Sequence, residues 1–263
     1  MAYFLAGTSC MGMIRNFVAA MAMSVSVGTA AADPAADLIA GLRTECRGCD
    51  LSGLSFKRAN LAGVDLTGAN LTDTSFHRAD LRGAILDDVI AIGANFNLIE
   101  GTLASFKGAD LTRALLYGAQ LSGADFTDAT LTEARMQTAR LTSATLVGAV
   151  LDRVVGRDLF ANNADFSYAS MMQTNLNGAH LGRSTFDGAF ISHSGFARAE
   201  VSRASFQNAT IVLTDFYGSD LRRANMAGAT LTANRFTTAV LSEVDFDGAT
   251  LTGNLLANGR LQD

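Results

Sequence analysis

The sequence has no tryptophan and a single proline, Pro34, in 263 residues. Only 17% of the chain is charged, while 49% is hydrophobic. Such skewed usage fits an array of repeats better than an ordinary mixed domain. No Gly-rich nucleotide loop of the Walker or dinucleotide type is present. The net charge of −5 is mild, and no basic cluster of the kind that holds nucleic acid stands out. A long apolar run is also missing: Phe17 to Val27 is too short to span a bilayer and is interrupted by Ser24 and Ser26.

What is present is a five-residue frame. From Leu51 to Leu261 every fifth residue is Leu, Phe, Met, Ile or Val at 39 of 43 positions, the exceptions being Ala91, Gly101, Gly156 and Ala161. We call these residues the centres of units. Two residues before each centre stands a small residue, usually Ala, and between the two stands Asp, Asn, Ser or Thr in most units. In a strand alternate side chains share a side, so the centre and the small residue point inward while their neighbours point out. An odd period cannot continue as one straight strand, and the Gly two residues after many centres (Gly53, Gly63, Gly108, Gly123) suits a turn in every unit.

Units such as Ala59-Asn60-Leu61-Ala62-Gly63, Ala69-Asn70-Leu71-Thr72-Asp73 and Ala124-Asp125-Phe126-Thr127-Asp128 resemble the pentapeptide-repeat family. The resemblance implies an all-β fold, a right-handed quadrilateral β-helix with four units per coil. Independently, all 12 centre Phe residues fall on positions ending in 6 and none on positions ending in 1. With four faces this places aromatics on two opposite walls, a packing solution for a narrow interior. At strand spacing the array amounts to roughly 10 to 11 coils and a rod of about 50 Å.

Three segments follow from this frame. Residues 1–32 read as a signal peptide, with Arg15 as the positive region, Phe17 to Val27 as the apolar region and Ala30-Ala31-Ala32 as the cleavage site; a tail without that role is the alternative. Residues 33–48 read as an N-terminal cap, a short helix over Asp33 to Glu45 with Leu38, Ile39 and Leu42 at helical spacing, followed by Cys46 and Cys49. If the chain is exported, Cys46 and Cys49 form a structural disulfide; otherwise they are thiols lining the core. Residues 49–263 form the β-helix. Irregular units at Asp87 to Leu103 and Asp152 to Ala161 keep the phase of the Phe positions, which points to locally defective coils or small bulges, with Leu103, Leu159 or Phe160 refilling the space at the small centres.

The outward positions show no catalytic constellation, no metal set and no cofactor motif, and His77, His180 and His193 belong to different sides or distant coils. Two surface features deviate from the pattern. Arg183, Arg203 and Arg223 recur two residues after their centres on one wall, as a ladder for an anion or partner, unless Glu200 and Asp220 neutralise it. Val150, Met172, Phe190, Val212 and Leu213 replace polar outward residues along the adjacent side, a candidate contact surface.

The reading is therefore a non-enzymatic exported scaffold or interaction rod, periplasmic or extracellular, with an unknown protein partner, no nucleic acid, no stable membrane span and no cofactor. The open C-terminal end allows a homo-oligomer. The alternative, implied by the resemblance, is a DNA-mimicking modulator of a type II topoisomerase. Mimicry needs acidic rows, whereas Asp50, Asp65, Asp80, Asp110, Asp125, Asp165, Glu200, Asp215, Asp220 and Asp245 scatter over all sides among Arg135, Arg140 and Arg235.

Overall fold

The computed structural model describes residues 34–260. The expected signal peptide lies outside them. Helix α1 spans Pro34–Ile39 and stops well short of Glu45. Gly41 stops it: at φ 69° it is left-handed, its N–H donates to Leu38 O at 3.1 Å, and the Leu42 N–H donates to Asp37 O at 2.9 Å. These two reverse bonds form a Schellman C-cap. Leu38 and Ala35 join the core beneath the helix, whereas Ile39 and Leu42 face solvent, so one leucine covers the first layer in place of the expected three apolar groups.

From Glu45↔Asp65 to Arg235↔Leu255 every bridge is parallel and joins residues one coil apart, so four units close one coil. The register runs unbroken through both irregular regions, as Ile90↔Asp110 and Phe160↔His180 show, and neither contains a bulge. Most faces contribute one bridging residue before the chain turns. Along one wall of the later coils the pairing lengthens into β1 (Ser170–Met172), β2 (Phe190–Ser192), β3 (Thr210–Val212), β4 (Thr230–Thr232) and β5 (Thr250–Thr252), stacked in that order.

The five-residue unit is explained by where its five N–H groups go. Take the unit around Leu111. The Asp110 and Leu111 N–H groups donate to Val89 O and Thr130 O, in the coils on either side, and the Arg113 N–H donates to Thr132 O. The Ala114 N–H closes the turn onto Leu111 O at 2.9 Å, with Arg113 at φ 59°. That leaves the Thr112 N–H, which donates to Asp110 Oδ1 at 3.0 Å. The Asp or Asn before the centre is thus an Asx cap on its own turn. Elsewhere the same N–H is met from the neighbouring coil, as when Tyr117 N–H donates to Asn97 Oδ1 at 2.8 Å. Read from sequence alone these residues are merely polar and outward.

Inside, centre and small residue are buried together, as with Ala109 and Leu111 at 0% exposure. The Phe ladders stack coil on coil, Phe56 on Phe76 at 5.3 Å and Phe166 on Phe186 at 4.8 Å. The two aromatic walls meet edge-on, Phe96 to Phe106 at 5.8 Å and 87°.

The small centres are repacked within their own units. Each pairs with an enlarged small-position residue: Val89 with Ala91, Ile99 with Gly101, Val154 with Gly156 and Leu159 with Ala161, and these larger partners are all buried. A Cβ at Gly101 would lie 2.9 Å from Leu121 Cδ2 and 3.2 Å from Ile99 Cδ1, so the space is filled. Of the residues expected to refill these layers, Leu159 does so. Leu103 is 70% exposed at its corner, and Phe160 sits outside, stacked on His180.

A second interior feature has no counterpart in the sequence-based reading. Thr174, Ser194, Thr214, Asn234 and Asn254 occupy the Ala slot in successive coils and are buried. In the usual unit this residue's N–H closes the turn. Here Thr174 N–H donates to Ser194 Oγ at 3.0 Å, Thr214 N–H to Asn234 Oδ1 at 2.8 Å and Asn234 N–H to Asn254 Oδ1 at 2.9 Å. The corner opens, and the wall before it extends to the three-residue strands β1–β5.

Candidate functional site

Cys46 and Cys49 are joined as a disulfide, with Cα atoms 5.4 Å apart. Cys46 is buried under the cap, and the Arg43 guanidinium lies 3.6 Å from its sulfur. Among the described residues no group of His, Cys, Asp or Glu is placed to hold a metal ion. His193 shares a hydrogen bond with Ser192 Oγ at 2.8 Å. His180 Nδ1 lies 2.8 Å from Glu200 Oε2, and its ring stacks on Phe160, whose other face carries the Arg140 guanidinium at 4.7 Å.

The arginine ladder lies on the same wall as that stack. Arg183, Arg203 and Arg223 stand at φ 59°, 58° and 59°, at the corner position of three consecutive coils. Glu200 and Asp220 do not neutralise them as expected: Glu200 is taken by His180, and Asp220 pairs with Arg222. Arg223 reaches one coil on to Glu243, Nε to Oε2 at 2.8 Å and Nη2 to Oε1 at 3.3 Å. The Arg223 hydrogen bonds, its charge and, more weakly, the charge of Arg203 hold the Glu243 carboxyl below its usual range. Among the described residues no carboxylate pairs with Arg183 or Arg203. The ladder borders an open groove of about 620 Å³, lined also by Asn162, Gly182, Ser202, Arg222 and, at one end, Glu243. The Asn162 side chain folds over Gly182, whose N–H donates to Asn162 Oδ1 at 3.0 Å.

The apolar residues fall on the β1–β5 wall, which is two units, half a coil, from the arginine wall and so opposite it, not on the adjacent side expected. Met172, Phe190 and Leu213 are exposed at 44%, 42% and 49%, while Val150 and Val212 are half-buried. The register interleaves them with polar groups: Phe190 lies between Ser170 and Thr210, and Val212 between Ser192 and Thr232. The structure therefore gives a mixed wall rather than one continuous apolar stripe.

The acidic residues before the centres serve their own turns. Asp65, Asp80 and Asp220 are held below the usual carboxylate range, chiefly by side-chain hydrogen bonds from Thr67, Arg82 and Arg222. Bridged columns bring some of them together, as in Asp80↔Glu100, but no acidic row runs the length of a wall: the same column passes on to Gln120, Arg140 and Phe160.

The family model described as pentapeptide repeats matches in 8 copies, over residues 49–88, 104–142, 119–155, 196–237 and 214–253. Similar solved structures include HetL, a pentapeptide repeat protein involved in heterocyst differentiation regulation from the cyanobacterium Nostoc sp.. It is 25% identical and covers 85% of this chain and 95% of its own, at a TM-score of 0.36. QnrB1, a plasmid-mediated fluoroquinolone resistance protein, is 20% identical over 70% of this chain and 91% of its own, at 0.40. A pentapeptide repeat protein from the Arabidopsis thaliana thylakoid lumen is 28% identical over 40% and 70%, at 0.15. Comparison with curated proteins gives no match.

Proposed function

This chain belongs to the pentapeptide-repeat family, and from that premise we propose that it is a non-enzymatic rod, exported from the cytoplasm, that works by presenting its side walls to a protein partner. The observation that carries the reading is the placement of the departures from the repeat. The interior is filled, coil after coil, while the unpaired arginines and the exposed Met172, Phe190 and Leu213 stand on the outer walls of the later coils. A rod of this kind offers surface and rigid spacing, and its function resides in such deviations.

Export is supported by the signal-like residues 1–32 and by the paired Cys46 and Cys49, since structural disulfides persist in oxidising compartments. Against the topoisomerase alternative stands the dispersal of the acidic groups, most of them tied to their own turns. End-to-end self-association belongs to the same proposal: Leu241, Phe246 and Leu251 in the last described coil are only partly covered. A strict monomer in sedimentation at high concentration removes that element.

Photo-reactive residues test the display reading. Placed at Leu213 and at Arg203 in cells, they are expected to give a discrete adduct, while one at the exposed Ser55, on another wall of the early coils, gives none. Equal labelling at all three positions, or none, contradicts it.

A further inference from the structure

We propose that the groove along Arg183 and Arg203 is a docking site for an acidic peptide segment of the partner, held by carboxylates that bridge successive coils. The inference rests on the interaction-rod reading and gives it a partner chemistry.

The protein already holds one carboxylate in this way. At the end of the ladder Glu243 accepts two hydrogen bonds from Arg223 across one coil, and it also feels the charge of Arg203. The same guanidinium positions at Arg183 and Arg203 lack an acidic partner within ion-pairing distance among the described residues. Both side chains leave a backbone fixed by the coil register, since the Arg183 N–H donates to Ser202 O and the Arg203 N–H to Arg222 O. Like charges repeated at coil spacing, about 4.8 Å, repel one another unless something negative lies between them.

The groove between them is shaped for an incoming chain. Gly182 carries no side chain, and the Asn162 amide lies against it instead: a Cβ there would stand 3.1 Å from Asn162 Oδ1. Asn162 Oδ1 is occupied by the Gly182 N–H. The groove is open rather than enclosed, which suits a peptide laid along it. Glutamates three or four residues apart on a helix have Cβ atoms about 5–6 Å apart, close to the coil spacing. Duplex nucleic acid calls for a far longer run of cations than three coils supply.

The test uses the full chain and a fluorescein-labelled glutamate-rich peptide, read by anisotropy. The informative variant is Arg183→Gly with Arg203→Gly. Glycine accepts the left-handed backbone at both corners, so the change removes two guanidiniums without straining the fold. Arg58→Gly with Arg78→Gly is the control, with the same charge change at φ 59° on another wall. Saturable, salt-sensitive binding is expected, weakened by a factor of about ten in the groove variant and less than about twofold in the control. Equal weakening in both variants shows that only net charge is being read and overturns the proposal. So does an absence of saturable binding, or a preference for inorganic tripolyphosphate over the peptide. Because the assay uses purified protein, a cytoplasmic location would sink the export reading without touching this result.

Discussion

Replacing Ile99 and Gly101 tests whether the centre and the small inner residue share one volume. Ile99→Ala alone removes a fully buried side chain from a layer whose centre has none, and should cost about 3 kcal/mol. Gly101→Leu alone drives a Cβ to 2.9 Å from Leu121 Cδ2 and 3.2 Å from Ile99 Cδ1. The backbone at Gly101 is not left-handed, so the cost is overpacking, about 2 kcal/mol. Together the two substitutions recreate the ordinary Ala and Leu pair. The double variant should therefore fall within about 1 kcal/mol of the parent, against about 5 kcal/mol for additive behaviour, a coupling near 4 kcal/mol. Denaturant unfolding measures it, with amide exchange around residues 99–121 locating the effect in case the array opens in parts. Additive losses would refute the volume exchange and show the irregular coils to be loosely packed.

Thr238→Gly, at φ 60°, should raise stability by about 0.5 kcal/mol, because relief of left-handed strain exceeds the added chain entropy; Gly63→Val, at φ 69°, should lower it by about 1–2 kcal/mol, and thermal melts showing the same sign for both would contradict the turn assignment. Asn234→Ala strips the Thr214 N–H of its acceptor and should cost about 2 kcal/mol, with faster amide exchange in β3 and β4; unchanged exchange would mean that the buried polar column does not open that corner. Asp65, Asp80 and Asp220 have folded-state pKa values below their unfolded ones, so their stabilisation is complete above the ordinary carboxylate range and is lost as pH falls through the lowered values. Unfolding midpoints should decline below about pH 4, and a midpoint that rises on acidification would contradict the Asx-cap role.

The fold was legible because the five-residue frame carries the inward pattern at nearly every unit, and the Phe phase alone requires an even-sided coil. The helix boundary was harder: Leu42 continues the apolar spacing, but Gly41 ends the helix first by backbone geometry. Refilling of the irregular coils was misplaced at Leu103 and Phe160 because proximity to the gap was weighed and in-or-out parity was not; Ile99, on the inward parity, carried the signal. The buried Thr174-to-Asn254 column is equally visible, as polar residues in the Ala slot at coil spacing, once the register is known. The arginine ladder was legible as a ladder, but its acidic partners were not. Long side chains choose among neighbours by reach, and Glu200 and Asp220 were claimed by His180 and Arg222.

The most direct test of the exported-rod account is the intact mass and N-terminal sequence of the protein recovered from fractionated cells. The account predicts a chain that starts near Asp33, lies outside the cytoplasm and carries Cys46 and Cys49 oxidised. A chain that retains residues 1–32 in the cytoplasm, with both thiols reduced, would contradict it and bring the topoisomerase reading forward for a supercoiling assay.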